Sequence, residues 1–136
     1  MALTILVVDD DKAIRDLLAL HLGNAGYRVL SAEDAVEGAR MLLEKSPDLL
    51  VVDAHLPYWS GLDFIATLMA DRELPCPPIV VITGSKELSA RAELIADACL
   101  VKPFLSTQLL DSVSICLARR SMSAAGVKLK SAVRAA

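Results

Sequence analysis

Leu3-Thr4-Ile5-Leu6-Val7-Val8-Asp9-Asp10-Asp11 is a short apolar run that stops against three consecutive aspartates. A run of this length, rich in aliphatic side chains and ended by polar punctuation, reads as a strand buried on both faces. Such strands occur inside parallel sheets, and parallel neighbours must be joined by crossovers, usually helices. The rest of the chain supplies that alternation. From Asp11 to about Ala25, Ile14, Leu18, Leu22 and Ala25 recur at helical spacing, and Gly26 offers a left-handed stop. Tyr27-Arg28-Val29-Leu30-Ser31 is a short second strand. Asp34 to Lys45 follows as a helix with Val36, Ala39, Leu42 and Leu43 apolar, broken by Ser46-Pro47-Asp48. Leu49-Leu50-Val51-Val52 is a third strand that ends at Asp53.

Ser60 and Asp63 have capping-box spacing at the start of a helix from about Leu62 to Ala70. Pro75, Pro77 and Pro78 close the connection to a fourth strand, Ile79-Val80-Val81-Ile82-Thr83. A polar helix over about 86–95, a short strand over about 98–101 and a last helix over about 106–120 complete the pattern. Five strands and five helices in alternation predict an α/β, doubly wound five-stranded parallel sheet of order 2-1-3-4-5, with helices on two faces.

Length and composition agree with one core. The chain has 136 residues, 54% of them hydrophobic, enough to fill a single domain. Residues 1–118 carry all seventeen acids against nine bases, whereas 119–136 hold Arg119, Arg120, Lys128, Lys130 and Arg134 with no acid. The expected division is a folded domain over 1–120 and a basic tail over 121–136, either flexible or continuing the last helix. Cys76, Cys99 and Cys116 are odd in number and widely spaced. They predict neither a disulfide framework nor a zinc site, but small buried or half-buried side chains. No stretch approaches the roughly 20 apolar residues of a membrane span, and no leader pattern opens the chain, so a cytoplasmic location is expected. The sixteen residues after 120 are too few for a helix-turn-helix with its own core, so direct DNA binding is not expected.

The chemistry lies in the strand ends. Asp9 and Asp10 follow the first strand and Asp53 ends the third, its neighbour in the proposed order. The crevice between them is the switch point where doubly wound sheets bind ligands. Three bare carboxylates there would repel one another, and a divalent cation such as Mg²⁺, with Mn²⁺ an alternative, would relieve them. Thr83 ends the fourth strand with a hydroxyl, and Lys102 follows the fifth with an ammonium. An acceptor carboxylate, a cation site, a hydroxyl and a fixed positive charge suit phosphoryl transfer, with Asp53 as nucleophile. Taken singly, each residue has a plainer use: Asp11 reads as a helix cap and His21 as a helix-boundary residue. Tyr58 and Trp59 lie in a loop, and they read either as a contact surface or as packing of that loop against its own helix.

Val7-Val8-Asp9-Asp10, Asp53-Ala54-His55-Leu56-Pro57 with Gly61, Val81-Ile82-Thr83-Gly84 and Lys102-Pro103-Phe104 together resemble the receiver domain of two-component response regulators, over roughly residues 3–120. The resemblance implies that Asp53 accepts the phosphoryl group, that Asp10 ligates the metal directly and that Asp9 acts on it through water. It implies that His55 contributes its backbone carbonyl, and that Ala54 and Gly84 offer backbone N–H groups to the phosphoryl oxygens. Thr83 and Lys102 are implied to contact that group, and the Lys102-Pro103 bond to be cis.

It further implies a sensor histidine kinase or histidine phosphotransfer protein as donor, a downstream protein target, and catalysis confined to the chain's own phosphorylation and dephosphorylation. As a monomer or weak dimer, the chain would signal through protein contacts. Three positions depart from the family pattern. Cys99 replaces the aromatic switch residue three positions before Lys102, Ile95 replaces a Gly, and His55 is bulkier than is usual. Two alternatives stand beside this reading: a pseudo-receiver that is never phosphorylated, and a phosphohydrolase of the haloacid-dehalogenase type, which ordinarily carries a second Asp where His55 stands.

Overall fold

The computed structural model describes residues 2–124. Its elements are β1 (Thr4–Val8), α1 (Lys12–Asn24), β2 (Arg28–Ala32), α2 (Ala35–Lys45), β3 (Leu49–Asp53), α3 (Gly61–Ala70), β4 (Ile79–Thr83), α4 (Lys86–Ala92), β5 (Ala98–Val101) and α5 (Ser106–Ala124). The five strands form one parallel sheet in the order β2-β1-β3-β4-β5, as expected.

Side chains that alternate along each strand divide the core into two layers. Leu6, Val8, Leu50, Val52, Ile79 and Val81 face one way, against Leu42, Phe64, Ile65 and Leu68 of α2 and α3. Ile5, Val7, Leu49, Val51, Val80 and Ile82 face the other, against Leu18 and Leu22 of α1 and Leu109, Val113, Cys116 and Leu117 of α5. β1, β3 and β4 are buried along almost their whole length, which is why their sequences lack polar alternation.

Caps set the helix starts. The side chains of Asp11, Asp34, Ser60 and Ser85 accept from Ala13, Glu37, Asp63 and Leu88 N–H respectively. Gly26 takes φ 98° in the turn that ends α1, the left-handed conformation that glycine tolerates.

Four expectations need correction. The buried face of α2 is Ala35, Gly38 and Leu42, while Val36 and Leu43 are exposed. Gly38 belongs to that face because a Cβ there would come within 3.0 Å of the Val8 side chain. α4 ends at Ala92 rather than 95. Ile95 N–H and Ala96 N–H both bond to the Ala92 carbonyl, closing a tight turn that buries Ala96 and leaves Leu94 in water. α5 continues beyond 120 to Ala124; Arg120 lies within it, donating to the Asp48 carbonyl at 3.0 Å and the Asp48 carboxylate at 2.7 Å. Cys76 is exposed, whereas Cys99 is half-buried and Cys116 buried. The prolines on either side of Cys76 hold its segment extended at the surface. Residues 125–136, most of the expected basic tail, lie outside the described residues. Among the described residues no helix is long and apolar enough to cross a membrane.

Candidate functional site

Register brings the predicted residues to one edge. Val8 pairs with Val52, so Asp9 leaves β1 beside Asp53 at the end of β3. Asp53 pairs with Ile82, and Thr83 with Val101, so the Thr83 and Lys102 backbones follow in line. Lys102 N–H donates to the Thr83 carbonyl at 2.8 Å, and the Lys102-Pro103 bond is cis.

Lys102 Nζ stands 3.2 Å from Asp53 Oδ2 and 4.0 Å from Asp9 Oδ2. Asp9, Asp53 and Thr83 are buried, while Asp10 is exposed. One carboxylate oxygen from each of Asp9, Asp10 and Asp53 lies within 4.8 Å of the others. Asp9 Oδ1 accepts Asp11 N–H at 2.9 Å, but Asp9 Oδ2 is buried with no hydrogen-bond partner among the described residues. Burial, and then the neighbouring Asp53 charge, push the Asp9 carboxyl up to about 6, against the pull of Asp11 N–H and Lys102. An all-oxygen donor set with one unsatisfied buried oxygen fits a hard cation of the Mg²⁺ or Mn²⁺ type.

The remaining expected positions differ in what their backbones do. Ala54 N–H donates to the Ile82 carbonyl at 2.9 Å, continuing the sheet. It is His55 N–H that meets the acceptor, donating to Asp53 Oδ1 at 2.8 Å. The His55 side chain is exposed. A Cβ on Gly84 would meet nothing within 4 Å, so the backbone beside Thr83 is open to an incoming group. Thr83 Oγ1 accepts Ser85 N–H at 3.1 Å. Cys99 Sγ lies 3.6 Å from Ser89 Oγ, linking β5 to α4 where an aromatic ring was the family expectation. Burial raises the Cys99 thiol above its ordinary value.

Two further residues shape the site, and the first of them carries no signal in the sequence pattern. Arg15 Nη1 donates to the Asp9 carbonyl at 2.6 Å, holding the turn that presents Asp9 and Asp10. Its partner lies six residues away, outside any helical spacing. Gly61, quoted above only as part of a motif, abuts the acceptor strand: a Cβ there would land on the Asp53 carbonyl oxygen and 2.9 Å from Ala54 Cα. Only glycine lets α3 begin so close to Asp53.

A family model for the response regulator receiver domain matches residues 5–114. The chain belongs to that family. It is 34% identical over 119 residues to the transcriptional regulatory protein GltR of Pseudomonas aeruginosa, covering 85% of this chain and 49% of GltR. It is 37% identical over 122 residues to the response regulator MprA of Mycobacterium tuberculosis, covering 88% and 52%. The chain thus spans about half the length of the curated relatives it matches. Among solved structures, a CheY-like receiver domain protein from Methanospirillum hungatei superposes with TM-score 0.81 at 29% identity, covering 90% of this chain and 99% of that one. The chemotaxis response regulator CheY4 of Vibrio cholerae gives 0.77 at 26%, covering 85% and 99%.

Proposed function

We propose that this receiver domain takes a phosphoryl group from a phosphohistidine donor onto Asp53, with Mg²⁺ held by Asp9, Asp10, Asp53 and the His55 carbonyl. One observation carries the reading: Lys102 Nζ lies 3.2 Å from the Asp53 carboxylate and 4.0 Å from that of Asp9, whose buried Oδ2 has no hydrogen-bond partner among the described residues. A pseudo-receiver has no use for so costly an arrangement. The phosphohydrolase alternative lacks its second Asp, because position 55 is a histidine exposed to solvent.

In the reaction an Asp53 oxygen attacks phosphorus in line with the departing imidazole nitrogen. The P–O bond forms as the P–N bond breaks, the product is an acyl phosphate, and the imidazole leaves with its electron pair. Lys102 neutralises charge on the equatorial oxygens, and the Thr83 hydroxyl and Gly84 N–H supply donors to them. His55 N–H, now on Asp53 Oδ1, orients the nucleophile; Ala54 N–H would have to leave Ile82 to take part. The bound cation supplies charge neutralisation that lets an anionic donor approach three carboxylates.

The donor is a sensor histidine kinase or a histidine phosphotransfer protein. Residues 1–120 form the receiver and 121–136 a basic extension, with cytoplasmic signalling through protein contacts by a monomer or weak dimer. The chain's chemistry is confined to its own phosphorylation and dephosphorylation. Incubation with acetyl phosphate and Mg²⁺, followed by peptide mapping, tests the reading: label belongs on the peptide containing Asp53, and label elsewhere that persists in Asp53→Asn refutes it.

A further inference from the structure

The loop between β3 and α3 is closed at its base and pinned along its length. Gly61 N–H donates to the Ala54 carbonyl at 3.0 Å, so residues 54–61 leave the sheet and return to the same point. Trp59 folds inward, its ring centroid 5.4 Å from that of Phe64 in the core. Pro57 restricts the backbone before the tip. At the tip stands Tyr58, with φ 67°. Trp59 N–H donates to the Pro57 carbonyl at 2.7 Å, which makes Tyr58 the centre of a three-residue turn with positive φ, the rarer and more strained γ-turn.

A β-unbranched but bulky residue is out of place there, since glycine, asparagine and aspartate tolerate positive φ far better. Core packing gives no compensation, because the Tyr58 side chain is fully exposed. Strained backbone that is over-determined by its surroundings concentrates at functional sites. This tip is five residues from Asp53, at the edge of the sheet where the phosphoryl group must arrive. Tyrosine is also a side chain that binding surfaces favour: an apolar body with a hydroxyl at its end and little rotamer entropy to lose.

We infer that Tyr58 is a recognition residue for the protein that delivers the phosphoryl group, a rigidly presented ring that seats in an apolar cleft beside the donor's phosphohistidine. The inference rests on the phosphoacceptor reading above. It separates the two kinds of donor, because acetyl phosphate has no protein surface to engage the ring.

The test compares the wild-type chain with Tyr58→Gly. The donors are acetyl phosphate and the phosphorylated histidine protein that transfers fastest to the wild type. The glycine variant should keep its acetyl phosphate rate and melt at the same or a higher temperature, since its backbone suits positive φ. Its kcat/KM with the protein donor should fall at least tenfold, and Tyr58→Phe should recover most of that loss. Equal protein-donor rates in wild type and Tyr58→Gly overturn the inference. A parallel loss with both donors, or a lower melting temperature, also overturns it by assigning the ring to the site or the fold. Failure of the wild type to accept from either donor refutes the phosphoacceptor reading itself.

Discussion

Asp9→Asn should stabilise the metal-free protein at neutral pH, because the wild-type carboxylate is held ionised against its surroundings. Its Oδ2 is buried and has no hydrogen-bond partner among the described residues. Its carboxyl is raised from 3.8 to about 6, chiefly by burial. A folded-state value above the unfolded one means that the native protein binds the extra proton between these limits. Stability from this group is therefore present below about pH 4 and is lost as pH rises through 6. At about 1.4 kcal/mol per pH unit, the ionised form costs roughly 3 kcal/mol at pH 7.5. The amide keeps an oxygen for Asp11 N–H and turns a donor toward the Asp53 carboxylate, but must itself be desolvated, so a gain of about 2 kcal/mol is expected. Urea unfolding in chelator, at pH 7.5 and at pH 4, reads this directly. The midpoint should rise at pH 7.5 with an unchanged slope, and the difference should shrink toward zero at pH 4. Millimolar Mg²⁺ should narrow the gap at pH 7.5 by stabilising the wild type more than the variant. Equal or lower stability of Asp9→Asn at pH 7.5 would show that burial of the ionised carboxylate costs the fold nothing.

Arg15→Gln should weaken Mg²⁺ binding several-fold in a titration followed by Trp59 fluorescence, with Arg15→Lys intermediate, because the bond to the Asp9 carbonyl is lost; Asp10→Ala should weaken it further, and unchanged affinities would count against both assignments. Gly61→Ala should cost about 2 kcal/mol or more in chemical denaturation, since its Cβ meets backbone rather than a yielding side chain; near-neutral stability would contradict the close approach. Beryllofluoride with Mg²⁺ should change hydrogen exchange chiefly in residues 84–97, since the small Cys99 side chain offers little moving surface. Protection centred on Cys99 and α5 instead, with 84–97 unaffected, would contradict that.

Much of the fold could be read in advance because β1, β3 and β4 are buried on both faces and leave no ambiguity of period. Caps at Asp11 and Ser60 and the stop at Gly26 are local devices, and local devices are readable. The α2 face differs from the expected one because Gly38 counts as neither apolar nor polar in a pattern, yet a Cβ there would already crowd the Val8 side chain at 3.0 Å. The end of α4 depends on Ala96 entering the core and on Asp97 Oδ2 accepting Ile79 N–H at 2.8 Å, a contact across the sheet. The acidic cluster, Thr83 and Lys102 were legible because every one stands at or just beyond a strand end. Arg15 was not, since it acts through a backbone carbonyl; Tyr58 was legible as a loop aromatic, but its positive φ was not.

Transfer of the phosphoryl group from histidine to Asp53 can be followed in a phosphotransfer profile. Radiolabelled histidine kinases and phosphotransfer proteins from the host are mixed with the chain in Mg²⁺, and label is followed over seconds to minutes. Rapid transfer from one or a few donors to the wild type is expected, and none to Asp53→Asn. Equal labelling of the Asp53→Asn chain, or no transfer from any donor to a folded, Mg²⁺-binding wild type, would contradict it.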